Sequence, residues 1–553
     1  MSRWIVVTAC LLLSQVVHAA ATACIPADIR LDASGNHADI RIALPKDIRS
    51  LALIDLTPLH RPSIWTSPDG SAHIQDNQIS AADPGHRLLY IQMDVHAMPE
   101  REDRAYAPFL RYTDGTVVIR NTLFKPAGDH GPALCPRFHA SIDGMVAGFG
   151  QSRRDAIALD VSAPDGYVAL GHPQIKQVDG LTMIVDRGLA SWVVDDTVRN
   201  ISAISAYYAA TLGKRQVPTI FLYLVHGQGK GYHGDHQEAA LSLAVEGDDW
   251  KTPDPAGEKQ LLGFLAHEIF HTWNAGPALG SPEGEALLAK EGGAEFARVI
   301  ATALVLKQDR ATWLGKVSDA YDRCLAQLPK DRSLAAALND ARAPGSLPYD
   351  CGVPLMFALA VAQEPGNPAH GYLELWRQLQ HQAPHEHGRD YRWQDLMPAL
   401  LSSGTRQALL QATADTGGYA NGMSTALAQL HYDVRVRASI SASGRQMYAQ
   451  RQMARLMSGD CGSVSMWTLD DGFMLDKLPN CHALVPGKVT SIAGIPIPGG
   501  EPAALQHALD EHCGHDQVVA VGYDGKQPAI SVACKAPVSA APQEWDILPA
   551  AEH

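Results

Sequence analysis

His267 and His271 stand four residues apart with Glu268 between them, in the run His267-Glu268-Ile269-Phe270-His271. On a helix, positions i and i+4 share a face, so both imidazoles can reach one metal ion. Glu268 then lies beside that ion, able to take a proton from a water held by the metal. A catalytic zinc usually takes three protein ligands and keeps a fourth position for water. Glu291, 20 positions after His271, is the expected third ligand. Glu295 follows one turn later on the same helical face, where it can orient one of the ligands. Ala286-Leu287-Leu288-Ala289 before this pair and Phe296 to Leu306 after it are too apolar for a merely solvated acidic face. The chemistry implied is hydrolysis with one Zn2+ per chain, although other divalent ions can fill such a site in vitro.

These residues need two adjacent helices to hold them. Glu258 to Trp273 and Glu283 to Leu306 carry apolar residues at helical spacing, and Ser281-Pro282 offers a cap and a first helical position for the second. Upstream, Leu181 to Val185 and Ile220 to Val225 read as strands on either side of a helix from Asp195 to Leu212. Further helical segments run to about residue 430. From Cys24 to about Gly166 the period is two, as in Ile40, Ile42, Leu44 and in Leu89, Ile91, Met93, Val95, which predicts half-buried strands. After His431 short strand-like runs return, at Ser463 to Leu469, Lys488 to Ile492, Gln517 to Tyr523 and Ala529 to Ala533, with one helix, Glu501 to His512, among them. Ala536 to His553 reads as a loose tail.

With 553 residues the chain is long enough for several domains, and 46% apolar residues suit buried cores. Its 45 Lys plus Arg against 59 Asp plus Glu give −14, with no basic run. Phosphate binding draws its affinity from clustered cations, so a nucleic-acid partner is not expected. Residues 1–23 read as a secretory signal: Arg3, an apolar stretch from Trp4 to Leu13, and Ala21-Thr22-Ala23 as a small-residue cleavage site. No other apolar segment, Val299 to Leu306 and Val353 to Ala362 included, is long enough to span a bilayer, so the mature chain has no expected transmembrane segment. An exported chain, periplasmic or secreted, is expected, with a lipid anchor at Cys24 as the lesser alternative. Without Cys10 of the signal, eight cysteines remain. Their grouping suggests Cys24 with Cys135, Cys324 with Cys351, Cys461 with Cys481, and Cys513 with Cys534, each within one domain. No CxxC pair occurs, which argues against a structural zinc held by thiolates.

The sequence resembles the gluzincin zinc peptidases, and among them the glycyl aminopeptidase family. His267-Glu268-Ile269-Phe270-His271-Thr272-Trp273-Asn274 is similar to that family's HExxH followed by x-Trp-Asn. Lys290-Glu291-Gly292-Gly293-Ala294-Glu295-Phe296 resembles its third-ligand segment, and Leu347-Pro348-Tyr349-Asp350-Cys351-Gly352 its Tyr-x-Lys-Gly segment. The resemblance implies that Tyr349 hydrogen-bonds the oxyanion and that Asn274 supports the ligand set. It implies a multidomain α+β architecture: a β-rich N-terminal domain (24–166), a thermolysin-like, mainly helical zinc peptidase domain (167–430) and a C-terminal PDZ-like β domain (431–535), with 536–553 as the tail. Leu484 to Ile497 is similar to a PDZ strand and turn. Peptide or protein substrates are the implied partners, with a peptide C-terminus at the PDZ-like domain.

The chain departs from the pattern in three places. Leu288-Ala289-Lys290 replaces an aromatic before the Glu-Gly pair, and Cys351 replaces the lysine. The family's Gly-Gly-x-Glu-His edge strand has Gly231-Tyr232-His233-Gly234-Asp235-His236-Gln237-Glu238 as its nearest counterpart, where Asp235 or Glu238 can pair with a substrate ammonium. The expected function is an exported zinc-dependent peptidase of aminopeptidase type. The alternative is a non-catalytic peptide-binding protein with a vestigial zinc site.

Overall fold

The computed structural model describes residues 24–550 apart from 33, 55–60, 96–108, 129–131, 142, 179, 216, 227–230, 275–283, 330, 341–344, 383–390, 438–439, 463–465, 470, 476–480, 498, 526–527 and 535–543. The signal expected at 1–23 and the cap expected at Ser281-Pro282 lie outside these residues.

Two compact units emerge from the contacts. The first comprises residues 1–98, 108–111 and 115–172, the second the remainder. Alternating apolar residues build the first unit as β-sheets. Strands His37–Ala43 and Leu88–Asp94 pair antiparallel with Ile40 opposite Ile91 and Ile42 opposite Leu89, so one face is buried throughout. They belong to a six-stranded sheet that also holds Ile25–Leu31 paired parallel with Leu134–His139. A five-stranded and a three-stranded sheet complete the unit around a common core. The Cys24–Cys135 disulfide lies at the start of the parallel pair. A sulfur in a disulfide cannot carry a thioether-linked lipid, which removes the anchor considered at Cys24.

The second unit starts with a five-stranded sheet: β1 (Gln174–Val178), β2 (Leu181–Val185), β3 (Thr219–Val225), β4 (Gly231–His236) and β5 (Ala240–Glu246), in the order β1-β2-β3-β5-β4. Strands β3 and β5 are buried along their whole length, and helices pack against them. One of these is α1 (Ser191–Leu212). The others that matter for the site are α2 (Pro255–Asn274), α3 (Ala286–Val305), α4 (Arg310–Gln327), α5 (Leu347–Gln363) and α6 (Pro368–Gln382). Helix α3 begins at Ala286 with Glu285 at its N-cap, three residues after the start expected at Glu283. Asp309 caps α4, its side chain accepting from the Thr312 N–H. Among the described residues no helix is long and apolar enough to cross a membrane.

Beyond two more helices, 403–414 and 419–429, come β6 (Tyr432–Val436) and α7 (Ala442–Cys461). Helix α7 falls where only strands and one later helix were expected. Its sequence is rich in Arg and Gln, which masks the period, yet Tyr448, Ala449, Met453, Leu456 and Met457 are buried on one side. Ser441 caps it, and Gly462 ends it in the left-handed conformation. A six-stranded sheet follows: β7 (Met466–Leu469), β8 (Gly472–Leu475), β9 (Gly487–Ile492), β10 (Val518–Tyr523) and β11 (Ile530–Ala533) pair in that order, the short strand Ile495–Pro496 pairs back on β9, and α8 (Pro502–Glu511) lies between β9 and β10 in the chain. The expected loose tail instead contains β12 (Trp545–Pro549), paired antiparallel with β6. Its Trp545 and Ile547 N–H groups donate to Asp322 and Ser318 of α4, contacts too distant in sequence to be read from it.

All four suggested disulfides are present: Cys24–Cys135, Cys324–Cys351, Cys461–Cys481 and Cys513–Cys534.

Candidate metal centre

His267 and His271 leave α2 on one side, and Glu291 meets them from α3. His267 Nε2 lies 3.2 Å from His271 Nε2 and 3.4 Å from Glu291 Oε2, and His271 Nε2 lies 3.5 Å from the same oxygen. Ligands about 2.1 Å from a tetrahedral metal sit about 3.4 Å from one another, so this triangle has the size of three corners of a zinc site. The far ring nitrogens are pinned as well. His267 Nδ1 is 3.2 Å from Glu295 Oε2, and His271 Nδ1 is 2.9 Å from Asn274 Oδ1. The Asn274 amide can face only one way, because its Nδ2 donates to the Lys290 carbonyl at 2.7 Å. With each Nδ1–H donating to an oxygen, both Nε2 lone pairs and a carboxylate oxygen converge, an arrangement that a cation resolves.

The electrostatics agree. Burial alone would push the His267 imidazole down, but Glu291, Glu295 and Glu268 outweigh it and hold its pKa up to about 10. Burial would likewise raise Glu291, yet His271 and His267 keep it well below the usual carboxylate range. Glu268 is buried beside the cluster, and its carboxyl is raised, first by burial and against the pull of the two histidines. Glu295 is held in turn by Arg298, whose Nη1 donates to its two oxygens at 3.1 and 3.2 Å.

Edge strand β4 runs along α2 with its even-numbered residues facing the helix. Tyr232 packs on Phe264 at a centroid distance of 4.7 Å, Gly234 passes over Glu268, and His236 lies 5.9 Å from the His271 ring. A Cβ at Gly234 would fall 2.4 Å from Glu268 Cδ, so only glycine leaves that carboxylate its place. His236 Nε2 is buried with no hydrogen-bond partner among the described residues, and burial, then His271 and Lys290, push its pKa down to about 3. Asp235 leaves the strand from the opposite face, accepting from Gln237 Nε2 at 2.6 Å, although its charge still acts on Glu268. Glu238 lies on the exposed turn between β4 and β5, past the segment that crosses Glu268.

Tyr349, on the first turn of α5, stacks on His267 with ring centroids 5.5 Å apart and planes 21° from parallel. Helices α3 and α5 cross backbone to backbone: a Cβ at Gly292 would lie 2.6 Å from Gly352 Cα. That crossing sets Glu291 and Tyr349 on facing turns. Sequence reasoning missed Tyr232, Gly234, His236 and Arg298 as neighbours of the centre. The first three lie in the Gly231 to Glu238 segment expected as the edge strand, in which only Asp235 and Glu238 were singled out. A second grouping, Asp460 with Cys461 and Cys481, is otherwise engaged, since the cysteines form a disulfide and Asp460 accepts the Ala483 and Leu484 N–H groups.

No protein-family model matches the sequence, and no curated protein does. The structure does have a known counterpart. An aminopeptidase N family protein from Idiomarina loihiensis superposes with a TM-score of 0.58 over 95% of this chain and 98% of that one, at 14% sequence identity. The chain therefore has a multidomain fold of the aminopeptidase N type.

Proposed function

We propose that the protein is an exported zinc-dependent peptidase of aminopeptidase type. The reading is carried by the convergence of His267 Nε2, His271 Nε2 and Glu291 Oε2 within 3.5 Å of one another, with both Nδ1 atoms anchored. Zinc in such a site supplies a Lewis acid for a scissile carbonyl and a lowered pKa for an attacking water. Glu268 takes the proton of that water and returns it to the leaving amine. The Tyr349 hydroxyl donates to the developing oxyanion of the substrate. Glu295 and Asn274 hold the two histidines in the tautomer that leaves Nε2 available.

Edge strand β4 offers its backbone to an extended peptide, and Asp235 or Glu238 is the proposed partner of a substrate ammonium. The lobe formed by β7 to β11 with α7 and α8 is read as PDZ-like, with a peptide C-terminus as its partner. Four disulfides suit an oxidising compartment, in keeping with export.

Metal analysis of the purified chain, combined with digestion of a peptide library before and after chelation, tests the reading. The expected result is one zinc per chain and chelator-sensitive trimming from the amino terminus. Glu268→Gln should abolish turnover with zinc retained. Bound zinc without cleavage would favour the peptide-binding alternative, and absence of zinc would undo the site assignment.

A further inference from the structure

The turn that carries Tyr349 is fastened on both sides of that residue, and every fastening reaches outside the metal cluster. Asp350 is buried, and its carboxylate is gripped from α4: Arg323 Nε donates to Oδ1 and Gln327 Nε2 to Oδ2, each at 2.6 Å. Ser346 Oγ, one residue before α5, donates to Gln327 Oε1 at 2.8 Å. Cys351 is bonded to Cys324, the neighbour of Arg323, and both cysteines are fully buried. From another side the Tyr419 hydroxyl donates to the Cys351 carbonyl at 2.6 Å.

The first turn of a helix is its weakest, because its N–H groups have no intrahelical acceptors and nothing upstream holds them. In α5 that weakness falls where a catalytic hydroxyl would have to be placed to within a fraction of an ångström. Arg323 has a second effect, since its charge also acts on Glu295, which holds His267 Nδ1. One cation thus serves the ring that stacks on Tyr349 and the turn that presents it.

We propose that Asp350, gripped by Arg323 and Gln327 and backed by the Cys324–Cys351 bridge, is a positioning residue that sets the Tyr349 hydroxyl against the substrate oxyanion. The proposal rests on the oxyanion role given to Tyr349 above. Asp350 touches no substrate. It acts by fixing the turn, so its loss is felt in the chemical step and hardly in ground-state binding.

A double-mutant cycle on one peptide that the wild-type chain cleaves tests this. Asp350→Asn preserves size and weakens the grip of Arg323. It should lower kcat about tenfold or more, because small misplacements of a reacting group are expensive, with KM within about twofold and zinc content unchanged. Tyr349→Phe should also lower kcat, and adding Asp350→Asn to it should cost nothing further, since the group being positioned is already gone. Should the Asp350 variant not fold, Gln327→Met removes one hydrogen bond to the same carboxylate and is read in the same way. An unchanged kcat, or the same fold-loss in both backgrounds, overturns the proposal while leaving Tyr349 its role. Full kcat in Tyr349→Phe alone instead rejects the oxyanion role, and the positioning proposal with it.

Discussion

Gly234 has no side chain at the point where β4 passes over Glu268, and a methyl group there would sit 2.5 Å from Glu268 Oε1. What must give way is the far end of a flexible side chain, so the fold should survive the change and the carboxylate should move. Gly234→Ala is therefore expected to lower kcat by about 100-fold with little change in zinc content or melting temperature. Unchanged turnover would mean that Glu268 does not work from its present position. The proposed ligands were legible at this scale because their spacing is local: His267 and His271 are one helical turn apart, and Glu291 follows 20 positions later in the next apolar helix. Gly234 was not legible as a partner of Glu268, because that contact spans two elements and depends on which way the strand turns its even residues.

The crossing of α3 and α5 is the element-level counterpart of that contact. A Cβ at Gly352 would meet Gly292 Cα at 2.5 Å and the Leu288 carbonyl oxygen at 3.2 Å, and backbone atoms cannot swing aside. Gly352→Ala should force the helices apart, cost about 1–3 kcal/mol of stability and reduce activity together with it. Calorimetry paired with kinetics would check this, and a variant with the wild-type melting temperature would refute the close crossing. Elements with a strong apolar period were found from sequence nearly to their ends, as for α1, expected at Asp195 to Leu212 and observed from Ser191. Helix α7 was missed because its polar face dominates its composition, and β12 because a single short strand has no signal until β6 pairs with it.

Across the whole second unit, the C-terminal strand β12 is joined to α4 through Asp322. Its surroundings are Arg437 Nη1 at 3.4 Å, the carboxylates of Asp319 and Glu544, and the Trp545 N–H at 2.6 Å. Burial, reinforced by Glu544 and Asp319, raises the Asp322 carboxyl from 3.8 to about 8. A folded-state pKa above the unfolded one means that the folded chain holds this proton longer. The group's contribution to stability is then full below about pH 4 and is lost as the pH rises towards 8. Asp322→Asn keeps an acceptor for Trp545 and removes the titration. It should melt above wild type at pH 9, by roughly 2 °C or more, and show a flatter profile between pH 4 and 8. Equal melting at pH 9 would reject the protonated Asp322. In the first unit, the Cys24–Cys135 bridge joins residues 111 apart in sequence. Replacing both cysteines by alanine should cost about 2–5 kcal/mol in urea unfolding of the intact chain. An unchanged midpoint would make the bridge dispensable.

The sequence by itself determined the proposed ligand set, the proposed proton acceptor beside it, the strand-rich beginning and the pairing of the cysteines. Each of these depends on residue type at short spacing or on grouping along the chain, and periodicity reports such features directly. Only the tertiary structure decided that Gly234 lies against Glu268, that Gly292 meets Gly352, that Arg323 and Gln327 grip Asp350, and that the C-terminal segment returns as a strand on β6. These contacts join residues from 23 to more than 100 positions apart, and no local propensity encodes them. They follow from how the helices and sheet close around a shared core, where burial penalises every polar group left without a partner.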